Sequence, residues 1–225
     1  MSWFACPTGL RLLAEEQREA IPLLTQHIGV RGLYLRPAEA APATLSGNML
    51  QSVLNLHQQG VSLAGDLQAE VDCLPVENDS MCLVYALHTL DDCDDAGAVV
   101  DELQRVLRPD GVLFLFGLSP LSAWRARWMR QGIRARRAGR VRALLVDAGL
   151  SIEAQIGLGP IWPIPDGRNE LPPLRPVDAA PLDALRAGYL LIARKRRTPL
   201  TPVGLRQARN ANAMGAALQP QARVG

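Results

Sequence analysis

Val112 to Leu118 reads Val-Leu-Phe-Leu-Phe-Gly-Leu, seven residues with no polar side chain. Successive residues of a strand point to opposite faces, so a strand that is apolar throughout must be covered on both sides, as in a parallel sheet between layers of helix. A second strand of this kind, Met81 to Ala86, lies upstream after the polar turn Glu77-Asn78-Asp79-Ser80. Between the two, Val99, Val100, Leu103, Val106 and Leu107 recur at helical spacing, and Pro109-Asp110-Gly111 stops that helix and turns the chain. The unit predicts an α/β fold with a mostly parallel sheet and helices on both faces. Seven apolar residues fall far short of the roughly 20 that a membrane helix needs, so no spanning segment is expected.

The flanking pieces extend this pattern. Leu10, Leu13, Ala14, Gln17, Ala20, Ile21 and Leu24 mark an amphipathic helix, with Glu15, Glu16, Arg18 and Glu19 between them, that bends or ends near Pro22. Gly32 to Arg36 is a strand. Leu50 to Leu56 fits strand or helix, and its shortness favours strand. Asp91, Asp92, Asp94 and Asp95 precede the helix at Val99, where carboxylates cap free N–H groups and complement the dipole. A further helix is expected from about Ser122, with Leu121, Trp124, Trp128 and Ala135 as its narrow apolar stripe. Val141 to Ala148 forms another helical turn or two, followed by strands at Leu150 to Ile156 and Gly188 to Arg194. Seven prolines between Pro160 and Pro181 make that stretch a loop. The chain divides into an N-terminal helical segment (1–30), a main α/β domain (31–197) and a flexible tail (198–225).

Charge separates the two halves. Residues 1–120 carry a net −10 and residues 121–225 a net +12. Arg125, Arg127, Arg130, Arg134, Arg136, Arg137, Arg140 and Arg142 stand together without an acid. Pairing with the acidic half inside one fold is the expected use of this charge; RNA, anionic lipid or an acidic protein are the alternatives. Cys6, Cys73, Cys82 and Cys93 form no Cys-x-x-Cys pair and only three histidines accompany them, so neither a metal site nor a disulfide framework is expected. The N-terminus has no basic region leading into an apolar stretch. Both features suit the cytoplasm.

Several pieces, in order, resemble the class I S-adenosylmethionine-dependent methyltransferases, nearest their small bacterial type-11-like branch. Glu70-Val71-Asp72-Cys73-Leu74-Pro75-Val76 is similar to that family's acidic-x-acidic-x-Leu-Pro-Phe turn, and Ser80 to Tyr85 to its fourth strand. Leu103 to Gly111 is similar to its Arg-Val-Leu-Lys-Pro-Gly-Gly turn, and Gly117 to Trp124 to the branch's Gly-Phe-Asn-Pro-x-Ser-x-x. The ending Ala193-Arg194-Lys195-Arg196, followed by Leu200-Thr201-Pro202, and the opening Gly9-x-x-Leu12-Leu13-x-x-Glu16 are similar as well. The resemblance implies a Rossmann-like sheet, S-adenosylmethionine as cofactor, no metal, and a small-molecule methyl acceptor.

It also assigns candidate residues. Arg36, Ala38 and Ala40 stand where the family has the three glycines of its Gly-x-Gly-x-Gly cofactor turn, which let backbone approach the ligand with no Cβ in the way. Glu70 and Asp72 match positions beside the adenine, and Tyr85 belongs with them at the end of the fourth strand. His88 follows that strand, where the resemblance places residues facing the acceptor, and a near-neutral histidine there suits a general base; capping the next helix is the plainer role. Cys82 stands where the family has Asp.

Only 37 residues separate Arg36 from Leu74. Two helices and two strands with their loops would need about 50 or more, so the nucleotide-binding half is expected to be abbreviated. Three functions remain open: a methyltransferase with a variant cofactor turn, a non-catalytic scaffold or regulatory relative, and a polyanion binder acting through Arg125 to Arg142.

Overall fold

A computed structural model describes residues 2–163 and 183–196. Eight strands form one sheet: β1 (Ile28–Arg36), β2 (Met49–Gln59), β3 (Ser62–Gly65), β4 (Ala69–Glu70), β5 (Met81–Ala86), β6 (Leu107–Leu118), β7 (Leu150–Leu158) and β8 (Gly188–Lys195). Their spatial order is β4-β3-β2-β1-β5-β6-β8-β7. β1 pairs in parallel with β2 and β5, and β5 with β6, while β3 and β8 run against their neighbours. All strands except those two therefore point the same way, which is the mostly parallel sheet expected. Among the described residues the α-helices are α1 (Pro7–Leu24), α2 (Ala96–Val106), α3 (Arg125–Trp128) and α4 (Ala138–Asp147).

Alternation along the central strands feeds two cores. Leu33, Leu35, Val84, Ala86, Leu113 and Leu115 face α2 and α4, meeting Val99, Val100, Leu103, Val141 and Leu145. Tyr34, Leu83, Tyr85, Phe114 and Phe116 face α1, meeting Leu12, Leu13, Ala20 and Leu24 together with Trp3 and Phe4. Each fully buried aliphatic or aromatic side chain contributes roughly 1.5–3 kcal/mol, so these two layers dominate stability. α1 belongs to this core.

The turns explain where elements stop. Asp95 caps α2, its Oδ1 accepting the Gly97 and Ala98 amides at 2.9 and 3.1 Å. Asp91 does not serve that helix. Pro109-Asp110-Gly111 makes an irregularity inside β6, where the register with β5 jumps between Met81 and Leu83 and Asp110 takes a positive φ. A Cβ at Gly111 would lie 2.8 Å from the Arg108 carbonyl oxygen, so only glycine fits that turn.

Two expectations need correction. The long arginine-bearing helix from Ser122 is a single short turn, α3, followed by irregular chain and then α4. Gly132 has φ 78° and the Arg134 amide donates to the Asp91 carbonyl at 2.8 Å, so the chain is pulled off the helical path. A run of like charges with no acid also offers no i,i+4 pairs to hold a helix together. Secondly, Glu15, Glu16 and Glu19 are buried, whereas the amphipathic pattern reads them as a solvent face. The proline-rich stretch beyond Pro163 and the tail from 198 lie outside the described residues.

Shortening of the nucleotide-binding half has a definite form. No helical turn occurs between Thr25 and His88. Residues 37–48 join β1 to β2 without a helix, and β2 folds straight back on β3 through the two-residue turn Gly60-Val61, with Gly60 at φ 68°.

Candidate functional site

The turn after β1 is closed by its own side chains. Arg36 is only 7% exposed, and its guanidinium folds back under the turn. Nη1 donates to the carbonyls of Glu39 at 2.9 Å and Ala41 at 2.6 Å, and Nε donates to Asn55 Oδ1 at 2.8 Å. Asn55 in turn donates to the Ala43 carbonyl, and Tyr34 Oη donates to the Pro42 carbonyl at 3.1 Å. Ala38, Ala41 and Leu45 are buried in the α1-side core, while Ala40 is exposed. A glycine-rich turn holds a cofactor by presenting bare backbone to it; here the backbone is tied to a buried arginine beneath it. The bare backbone that the resemblance implies for this turn is not what the chain presents here.

Glu70 ends β4, the edge strand three places from β1, and Asp72 follows it. They line a crevice of about 340 Å³ with Gln58, Val71, Cys93 and Val99, and Asp92, Asp94 and Asp95 face it too. Burial pushes the Asp92 carboxyl and the Cys93 thiol upward. The Glu70–Val76 turn is held from outside: Arg105 grips Glu102 through Nε and Nη2, both at 2.7 Å, and donates to the carbonyls of Leu74 and Val76 at 2.9 and 2.8 Å. Glu102 also accepts the Leu74 amide at 2.5 Å. The two motifs carrying the resemblance, around Glu70 and around Arg105, are thus joined by hydrogen bonds from the Glu102–Arg105 ion pair of α2 to the backbone of Leu74 and Val76. No group of three or more His, Cys, Asp or Glu side chains among the described residues could hold a metal ion.

Tyr85 is apart from this crevice. Its ring lies in the α1-side layer, 4.7 Å from Phe116 and 5.9 Å from Phe114, edge-on to Tyr34 at 5.5 Å. Val99 of the crevice belongs to the opposite layer. The sheet itself separates the two.

His88 is fully buried at the end of β5, stacked on Phe4 at 4.8 Å. Nε2 meets Glu16 Oε2 at 2.6 Å and Nδ1 meets Asp91 Oδ2 at 2.8 Å. Burial disfavours the charged ring, but Glu16 and Asp91 outweigh it and raise the pKa to about 9. Both nitrogens then donate, leaving no lone pair to receive a proton. His88 also has a positive φ and starts the 3-10 turn Thr89–Asp92 without a side-chain cap. The ring joins α1 to the ends of β5 and β6, since Asp91 Oδ2 also accepts the Leu118 amide at 2.8 Å. It borders neither the crevice nor the Arg36 turn in the observed lining and contacts.

The arginines divide. Arg134 pairs with Asp94, and Arg136 donates to the carbonyls of Leu90 and, at 2.9 Å, Cys93. Part of the basic segment is therefore bound to the acidic half. Arg125, Arg130, Arg137, Arg140 and Arg142 are exposed.

Sequence reasoning missed Asp91 as the partner of His88, because an acid before a helix reads first as a cap. Glu16 was within reach, as the last residue of the N-terminal motif.

Residues 29–115 match the model of a methyltransferase domain family. No curated protein matches the chain. Among solved structures, the fold is similar to a Thermotoga maritima S-adenosylmethionine-dependent methyltransferase described as a possible histamine N-methyltransferase, at 15% identity and TM-score 0.57, over 83% of this chain and 91% of that one. A Listeria monocytogenes protein classed as an S-adenosylmethionine-dependent methyltransferase is similar at 14% identity and TM-score 0.56, over 82% and 98%. So is a Haloferax volcanii protein classed as a methyltransferase and solved with the Trm112 methyltransferase activator, at 15% identity and TM-score 0.56, over 86% and 96%. The class I methyltransferase fold expected from the sequence is the fold observed. No helix among the described residues is long and apolar enough to cross a membrane.

Proposed function

We propose that this chain, which has the class I methyltransferase fold and matches a methyltransferase domain family over residues 29–115, is a non-catalytic relative that keeps the sheet as a scaffold and does not hold S-adenosylmethionine at the turn after β1. The observation that supports this reading is the Arg36 guanidinium, buried and hydrogen-bonded to Asn55 and to the carbonyls of Glu39 and Ala41. Opening that turn to a ligand would strand those carbonyls and a buried cation, at a cost of several kcal/mol that cofactor contacts would have to exceed. The state of His88 agrees, because a ring with both nitrogens engaged cannot deprotonate an acceptor.

One observation favours a second reading, an active methyltransferase of a small molecule: the crevice bearing Glu70 and Asp72 is open and of ligand size. Methyl transfer depends chiefly on alignment of nucleophile and sulfonium, so it does not require His88.

Calorimetric titration with S-adenosylmethionine separates the two. The scaffold reading expects no saturable heat up to millimolar ligand. Saturable binding that Glu70→Ala or Asp72→Ala weakens would overturn it and establish the crevice as the cofactor site.

A further inference from the structure

Of the four tryptophans, Trp3, Trp124 and Trp128 are buried, and Trp162 is 74% exposed. The chain two residues before Trp162 is held to the arginine-rich segment, because Trp124 Nε1 donates to the Pro160 carbonyl at 2.9 Å. Two more large apolar side chains of that segment, Leu121 and Met129, are exposed on either side of Trp124 and α3. Arg125 and Arg130 are exposed among them and have no ionic partner among the described residues. Arg137, Arg140 and Arg142 continue the positive charge, and no acid occurs between Asp110 and Asp147.

This mixture narrows the partner. A nucleic acid would use the arginines, but with Trp124 and Trp128 committed to the core only Trp162 is left to stack on, not the series of rings a single strand tracks along, and a phosphate backbone has no use for Leu121 or Met129. An anionic bilayer uses every component. Guanidinium groups meet headgroup phosphates, an indole sits at the level of the headgroups, and aliphatic side chains reach the acyl boundary. We propose that the cap formed by Leu121, Arg125, Met129, Arg130 and Trp162 docks on an anionic lipid surface. Association is peripheral, and it does not depend on whether S-adenosylmethionine binds.

Burial of the other three tryptophans makes Trp162 the reporter. Vesicles of phosphatidylcholine mixed with phosphatidylglycerol should shift the emission to the blue and shield it from acrylamide, and pure phosphatidylcholine vesicles should not. Trp162→Ala should abolish the spectral change. Arg125→Gln and Arg130→Gln should each weaken co-sedimentation roughly fivefold, and raised salt should weaken it further. These exposed positions leave the fold intact, which unchanged melting curves would verify. Failure to bind the mixed vesicles at low salt would overturn the proposal. So would tighter binding to RNA that Trp162→Ala leaves unchanged, since that assigns the arginines to a polyphosphate backbone.

Discussion

Arg36 Nη1 donates to the Ala41 carbonyl at 2.6 Å, so the last residue of β1 fastens the turn that follows it. In a cofactor-binding turn of this fold the backbone is left bare for the ligand. Here a side chain from the strand has taken that backbone for itself, and the absent helix after the turn is the architectural counterpart.

Arg36→Ala should therefore destabilise the protein by about 3 kcal/mol, because two carbonyls and the Asn55 side chain lose a charged donor in a site with little water. Urea unfolding measures this. A loss below about 0.5 kcal/mol, typical of an exposed surface change, would show that the turn stands without its arginine.

His88→Ala should cost about 3–5 kcal/mol by leaving Glu16 and Asp91 facing each other across an uncompensated buried gap. The pH dependence has a defined sign. With a folded pKa of about 9 against the ordinary 6.5, protonated His88 contributes stability that is complete below pH 6.5 and disappears as pH rises through about 9. That contribution is on the order of 3 kcal/mol. Melting temperatures across this window should fall in the wild type, and His88→Gln should flatten the slope.

Gly117→Ala should destabilise by about 1–3 kcal/mol, because its Cβ would lie 2.5 Å from Tyr189 Cζ. Tyr189 could then no longer donate to the Arg136 carbonyl, now 3.0 Å away. A double-mutant cycle with Tyr189→Ala should be strongly non-additive; additivity would mean that the two residues do not meet.

Arg136→Ala should destabilise measurably while Arg140→Ala and Arg142→Ala stay within about 0.5 kcal/mol, since only the first binds the Leu90–Cys93 carbonyls. Equal effects at all three positions would contradict the division between structural and exposed arginines.

Legibility in the sequence follows how local the signal is. β5, α2 and β6 could be read because both faces of each strand are apolar and the helix between them has a clean period. The missing helices were legible as too few residues between Arg36 and Leu74. By contrast, the burial of Glu16 and Glu19 depends on His88 and Arg186, which stand 72 and 167 residues from their partners. No periodicity encodes such pairs. The β2–β3 hairpin was signalled only by Gly60, and the arginine-bearing helix failed because Asp91 and Asp94, far away in sequence, redirect the chain. In the candidate site, Glu70 and Asp72 do share a crevice, whereas Tyr85 and His88 are held elsewhere by packing and charge.

The most direct measurement is a titration of the intact protein with S-adenosylmethionine followed by calorimetry. A flat trace through the millimolar range is the outcome foreseen for a turn sealed by Arg36. A stoichiometric, saturable isotherm would contradict it.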